Sequence, residues 1–267
     1  MSLIKNKEVI KLVDIKSKRE IELMREACKI TAMAHDTIKK SIKPGITTLE
    51  LDKIAEDVII KNGAIPSFKN FPSGFNDIPN FPGTACISIN DQVIHGIPSD
   101  KVIIKEGDIV SIDLGAYKNG FHGDSARTII IGKTDNKIEK LVQVTKQSFF
   151  EGIKFAKPGY RIGDICFAIG DYVEKNGFSV VKDFQGHGVG RNLHEDPGIP
   201  NYGKKGRGLK LEPGMTLAIE PMVNMGSFEI EILDDGWTVV TKDKSYSAHY
   251  ENTILITEKE PEILTIV

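Results

Sequence analysis

The sequence predicts an α+β domain of two related halves, with curved strands over a shared central site and helices outside. Three observations carry that prediction. A helix, a Pro-Gly break, a second helix and a run of short strands occur twice in the same order. Lys43-Pro44-Gly45 opens a segment closing at Lys61-Asn62-Gly63, and Lys157-Pro158-Gly159 opens one closing at Lys175-Asn176-Gly177, with identical internal spacing. Four acids, Asp113, Asp124, Glu220 and Glu251, stand beside strand-like apolar runs in two matched pairs.

In the first half, residues 18–41 place Ile21, Met24, Cys28, Thr31, Ala34 and Ile38 at helical spacing. Pro44-Gly45 ends that helix, and Thr47 caps a second one running to about Lys61. The stretch from Pro66 to Gly83, rich in Pro, Gly, Asn and Phe, reads as a loop. Strand-like runs follow at 85–89, 109–114 and 126–131. The second half repeats the pattern, with helices at 137–156 and about 163–175 and strands at 215–219, 228–233, 238–241 and 251–257. The expected organisation is an N-terminal extension over residues 1–15 and a single domain over 16–260, with pseudo-repeats at about 18–132 and 135–257.

Further pairs tie the halves together. His95-Gly96-Ile97-Pro98 answers His194-Glu195-Asp196-Pro197, and Ile112-Asp113 answers Ile219-Glu220. Asp124 and Glu251 each follow a histidine by two residues, His122 and His249, and each precedes an apolar run.

Bulk properties remove several classes of function. The chain has 267 residues, 40% hydrophobic and 27% charged, as in ordinary globular proteins, and its formal net charge is −2. No bulk basic field points to nucleic acid or an anionic membrane. The three cysteines, Cys28, Cys86 and Cys166, have no CxxC spacing, which argues against a disulfide framework or a zinc-thiolate site. No apolar run approaches the ~20 residues of a membrane span, and the Lys-studded start does not read as a signal peptide. A cytoplasmic setting is expected.

The chemistry concentrates on the acids. Asp113 ends the apolar run Ile109-Val110-Ser111-Ile112, where an ionised carboxylate is costly unless paired or metal-bound. Glu220 repeats that situation after Leu217-Ala218-Ile219, and Pro221 stops the strand from continuing regularly. His187 lies in Gly186-His187-Gly188-Val189-Gly190, whose glycines admit close backbone approach. Taken singly, each acid reads as a solvated strand end; as an ordered set with the histidines they read as a metal site. Oxygen and imidazole donors suit Mn²⁺, Fe²⁺, Co²⁺ or Zn²⁺, and bridging carboxylates can hold two such ions ~3.5–4 Å apart.

These motifs, with Val93-Ile94 before His95, Gly120-Phe121-His122-Gly123-Asp124 and Tyr250-Glu251-Asn252-Thr253, together resemble methionine aminopeptidase over about residues 16–257. The resemblance implies the pita-bread fold, with Asp113, Asp124, His187, Glu220 and Glu251 as ligands of two divalent metal ions, Asp124 and Glu251 bridging. It implies attack by a metal-bridging water, with Glu220 also carrying a proton to the leaving amine. His95 would contact the substrate backbone, and His194 the scissile carbonyl or its oxyanion. The methionine pocket would be Phe81, Cys86 and Trp237, with Met222 as a further candidate. The implied substrates are nascent polypeptide N-termini with a small second residue, and the implied state is a monomer, with ribosome association left open.

Two departures touch the pocket wall. Leu193 stands where the family usually has an aromatic residue, and residues 71–82 look longer than, and different from, the usual aromatic-His-Gly-aromatic loop. His122 and His249 read as strand histidines that strand alternation puts on the face of the acid two residues on; second-shell support of the metals is the alternative. His35, Cys28 and Cys166 read as core. Two rival readings are a proline-specific aminopeptidase or prolidase-like enzyme and a non-enzymatic binding protein on the same fold. The first generally carries a large N-terminal domain, and fewer than 20 residues precede the first helix here. The second typically loses metal ligands, and all five are present. The 31 positions from Glu220 to Glu251 leave no room for the helical insertion of the type II form, so type I is expected.

Overall fold

The computed structural model describes residues 13–266, so most of the expected N-terminal extension lies outside the described residues. Helix α1 (Lys18–Ser41) starts with a capping box: Ser17 accepts from the Glu20 amide while the Glu20 carboxylate accepts from the Ser17 amide at 2.8 Å. Helix α2 (Thr48–Lys61) begins the same way with Thr47 and Glu50. After β1 (Ile65–Pro66), a loop leads to β2 (Ala85–Ile89) and β3 (Gln92–Ile94). A long hairpin, β4 (Ile109–Lys118) and β5 (Phe121–Ile130), closes the first half. β4 is flanked by β5 on one side and by β2 and β1 on the other.

The second half begins with α3 (Asn136–Ile153) and α4 (Ile162–Lys175). Short strands follow: β6 (Ser179–Val180), β7 (Gln185–Gly188), β8 (Glu195–Pro200), β9 (Thr216–Ile219) and β10 (Met222–Asn224). The chain ends through β11 (Ile230–Ile232), β12 (Val239–Thr241), β13 (Ser247–His249), β14 (Asn252–Leu255) and β15 (Glu262–Ile263). The sheet order β15-β14-β9-β7-β8 runs beside two three-stranded sheets, β13-β10-β6 and β11-β12-β3.

Each half has a core of the same design. Ile30, Ala34 and Ile38 of α1 pack with Leu51, Ala55 and Ile59 of α2 on Ile87, Val110, Ile112 and Leu114. In the second half, Leu141 and Phe149 of α3 pack with Ile165, Ile169 and Val173 of α4 on Leu217, Ile219 and Ile254. The repeat extends to backbone conformation. Gly45 and Gly159, matched in sequence, both take φ +93, a left-handed value that glycine adopts without steric cost. The residues that open α2 and α4 also make matched antiparallel bridges, Thr47 to Ile103 and Arg161 to Lys210.

Three expectations need correction. Asp113 and Asp124 are not at strand ends: β4 runs on to Lys118 and pairs there with β1 and β5, so both acids are internal to ten-residue strands. The expected single strand over 251–257 starts after Glu251 and stops at Leu255. The loop expected from Pro66 begins within β1, because Ile65 and Pro66 pair with Tyr117 and Ala116. Strands β3, β6, β7, β8, β10 and β13 had no usable sequence signal. They are short, and β7 is half glycine while β8 carries two prolines.

Candidate metal centre and active site

The two matched acid pairs are presented by two different backbone devices. In the first half, Asp113 pairs with Ala126 and Asp124 with Gly115, so the acids sit diagonally on one face of the β4–β5 hairpin. In the second half, Glu220 lies between β9 and β10 and Glu251 between β13 and β14. Ile219 pairs with Asn252, and the same register resumes at Met222 with His249. Glu220 and Glu251 therefore face each other across the gap that Pro221 opens. The halves meet directly at this point, because Glu251 and Ala126 exchange backbone hydrogen bonds at 2.9 and 3.4 Å.

His187 comes from β7, whose flanking glycines let the strand run against its neighbours. A Cβ at Gly186 would fall 2.4 Å from the Ala218 oxygen. His187 Nδ1 donates to the Gly188 carbonyl at 2.8 Å, which fixes the tautomer and leaves Nε2 as the free electron pair. Nε2 lies 3.6 Å from Glu220 Oε1 and 4.0 Å from Asp124 Oδ2. Ligand atoms of Asp124, His187 and Glu251 all fall within 4.8 Å of one another.

The electrostatics of this cluster are those of a site built for cations. Burial and then the charge of Asp124 push the Asp113 carboxyl well above its ordinary range. Burial raises Asp124 to about 7, and burial with the neighbouring carboxylates raises Glu220 and Glu251 well above theirs. Burial holds His187 down to about 3, so its ring is neutral and able to donate its electron pair at pH 7. Asp113 Oδ1, Asp124 Oδ1 and Glu251 Oε1 are inaccessible and have no hydrogen-bond donor. The guanidinium of Arg127 is turned to the Glu251 backbone oxygen and to Asn252 Oδ1. Buried acceptors without donors, four converging acids and a neutral imidazole fit divalent ions of the oxygen- and nitrogen-preferring kind.

One cavity of about 830 Å³ is lined by all five candidate ligands together with His95, His194, Phe81, Cys86, Leu193 and Trp237. His95 adopts φ 59, a strained left-handed conformation for a non-glycine residue. Its ring meets Phe184 edge-on at 5.6 Å and Trp237 at 6.2 Å. The His194 ring lies 4.4 Å from that of His187 and takes the edge of Phe71 at 5.3 Å. Burial lowers the pKa of both, His95 to about 4. Phe81 and Trp237 pack edge to face at 5.3 Å.

Other sequence candidates fall elsewhere. Met222 is buried among Val93, Ile94, Val181 and Val239 and does not line the cavity. His122 bonds through Nδ1 to Ser67 Oγ at 2.9 Å and packs on Tyr117. His249 is buried behind the cavity wall with Nε2 3.8 Å from Glu220 Oε2. His35 is core, with Nε2 donating to the Ser125 carbonyl at 2.8 Å, and Cys28 and Cys166 are buried free thiols. Phe68 and Phe184 were missed as cavity residues, because single aromatics in irregular loops carry no periodic signal.

Two pseudo-symmetric half-domains closing on an Asp/His/Glu cluster define a metal-dependent hydrolase of pita-bread architecture. The chain belongs to Metallopeptidase family M24, which it matches over residues 22–258. It is 54% identical to the methionine aminopeptidase of Clostridium perfringens, over 96% of this chain and 100% of that protein. The crystal structure of methionine aminopeptidase from Thermotoga maritima superposes with a TM-score of 0.92 at 45% identity, over 96% of this chain and 100% of that one. A prolidase from Pyrococcus furiosus is more distant, with a TM-score of 0.75 and 27% identity over 95% of this chain and 65% of that one.

Proposed function

We propose that this protein is a type I methionine aminopeptidase that releases the initiator methionine from nascent chains with a small second residue. The observation that carries the reading is one cavity joining the five-donor cluster to an apolar wall of Phe81, Cys86 and Trp237. The identity of 54% to a methionine aminopeptidase, against 27% to a prolidase, favours methionine over Xaa-Pro substrates.

Asp113, Asp124, His187, Glu220 and Glu251 would hold the metal ions, which supply Lewis-acid polarisation and lower the pKa of water. The chain's own residues do the rest. Phe81, Cys86 and Trp237 take the methionine side chain and exclude water from it. His95, held by the Phe184 and Trp237 rings, orients the substrate backbone. His194 offers a ring N–H to the scissile carbonyl oxygen as negative charge develops there. Glu220 takes a proton from the attacking water and passes it to the leaving amine. The protein would act on chains leaving the ribosome, as a monomer in the cytoplasm. Among the described residues no helix is long and apolar enough to cross a membrane.

The test uses metal-stripped protein restored with Mn²⁺, Fe²⁺, Co²⁺ or Zn²⁺ in turn, on Met-Ala, Met-Leu and Xaa-Pro peptides. Methionine release from Met-Ala, weak release from Met-Leu and none from Xaa-Pro are expected. No methionine release with any metal overturns the reading.

A further inference from the structure

The chain just before α1 reaches the active-site wall through a buried ion pair. The Lys16 side chain is 1% exposed, and its Nζ lies 2.7 Å from Glu195 Oε2 and 2.9 Å from Asp14 Oδ2. The Lys16 amide donates to the Gly214 carbonyl at 2.9 Å, which fixes this segment to the second half. Glu195 directly follows His194, and its other oxygen accepts the Asn192 amide at 3.0 Å. A single carboxylate thus closes the turn from Asn192 to Glu195 on one side and is held by Lys16 on the other. Gly190 lies over the lysine so closely that a Cβ there would fall 2.4 Å from Lys16 Cε. The Gly190 carbonyl is in turn held by the His122 amide at 2.8 Å.

A lysine removed from water in this way is costly unless it is paired, and the Asp14 and Glu195 carboxylates supply the pairing. Its charge is directed to Glu195, the residue that follows His194. We infer that Lys16 is a positioning residue: by holding Glu195 it fixes the His194 ring where the scissile carbonyl is received. This rests on the proposed contact of His194 with substrate. The catalytic wall therefore depends on a residue that precedes the first helix.

The experiment is a double-mutant cycle with Lys16→Met and His194→Ala, assayed on a Met-Ala-Ser peptide at saturating Mn²⁺. Lys16→Met should lower kcat about 10-fold with little change in KM. In the His194→Ala background the same change should cost less than about 2-fold, because residues acting as a unit are non-additive. An equal loss in both backgrounds assigns Lys16 to general stability and overturns the inference. An unchanged kcat for His194→Ala alone instead overturns the role given to His194. Because removing one partner of a buried pair can unfold a protein, the thermal unfolding of each variant is measured alongside. Glu195→Gln, which keeps an acceptor for the Asn192 amide, should show the same non-additive loss while remaining folded. The second readout is the imidazole NMR signal of His194 in the zinc-loaded protein. It should move in both variants while that of His95 stays in place; an unmoved His194 signal refutes the inference whatever the kinetics.

Discussion

The hydroxyl of Thr253 donates to the Asp124 carbonyl at 2.9 Å and accepts the Asp124 amide at 3.0 Å, so one side chain closes both backbone groups of a candidate metal ligand. Two residues along, Ala126 and Glu251 exchange backbone hydrogen bonds. Two further on, Thr128 repeats the hydroxyl clamp on His249, donating to its carbonyl and accepting its amide at 2.8 and 2.9 Å. The seam between the halves is therefore one antiparallel ladder in which two threonine hydroxyls replace direct backbone pairing. It passes through Asp124 and Glu251.

Thr253→Val tests whether that seam sets the metal site. Valine keeps the shape and removes the hydroxyl, leaving the buried Asp124 amide and carbonyl unpaired. The cost to folding should be about 1–3 kcal/mol, read by denaturant unfolding of metal-free protein. Displacement of the Asp124 carboxylate should also weaken Mn²⁺ binding about 10-fold by calorimetric titration. Lost stability with unchanged metal affinity would show that the clamp serves the fold alone.

Metal removal should change how stability depends on pH. Asp124 is raised to about 7, and Asp113, Glu220 and Glu251 well above their ordinary values, while the unfolded chain titrates near 4. A carboxyl raised on folding binds more protons in the native state, so its contribution is present at low pH and lost as pH rises through the folded pKa. The buried histidines have the opposite sign, but their folded values lie below the unfolded 6.5 and they add little above pH 7. Above about pH 6.5, where the histidines no longer contribute, metal-free protein should therefore lose stability with rising pH until the buried carboxyls have ionised, by roughly 1.4 kcal/mol per pH unit for each proton the folded state holds in excess of the unfolded chain. Saturating Mn²⁺ should flatten that fall, and binding at pH 7 should release protons, measurable in buffers of different ionisation enthalpy. Binding without proton release would contradict the raised carboxyls.

What the sequence made legible is what repeats or alternates. The helices, the Thr47 cap and the matched Pro-Gly turns follow from local chemistry and appear nearly as expected; the Ser17 cap and the Glu50 half of the Thr47 capping box were not read from the sequence. The candidate ligands were legible because buried strands tolerate carboxylates only for a reason, and because Asp113 and Glu220 occupy matched positions. Thr253 and Thr128 were illegible, since a threonine in a strand is ordinary and its two hydrogen bonds exist only across the seam. Lys16 gave no signal either: its partner Glu195 is 179 positions away, and burial of a lysine cannot be read from its neighbours. The wall residues Phe68 and Phe184 lie in irregular segments, where contact is set by tertiary closure alone.

His249 decides how far the metal site extends behind the first ring of ligands. Its side chain is 1% exposed, and neither ring nitrogen has a hydrogen-bond partner. Burial of that kind is unfavourable for an imidazole without a compensating contact. Nε2 stands 3.8 Å from Glu220 Oε2, and the Thr128 clamp fixes the His249 backbone that carries the ring. Burial holds the ring down to about 3, so at neutral pH it offers Glu220 one N–H and no charge. A small closing movement of the carboxylate would complete that bond and orient Glu220. His249→Ala should then weaken Mn²⁺ binding or lower kcat about 10-fold, while His249→Gln, which keeps a donor, should stay near the parent. Titration and kinetics unchanged in the alanine variant would remove His249 from the site and leave it a strand residue of the core.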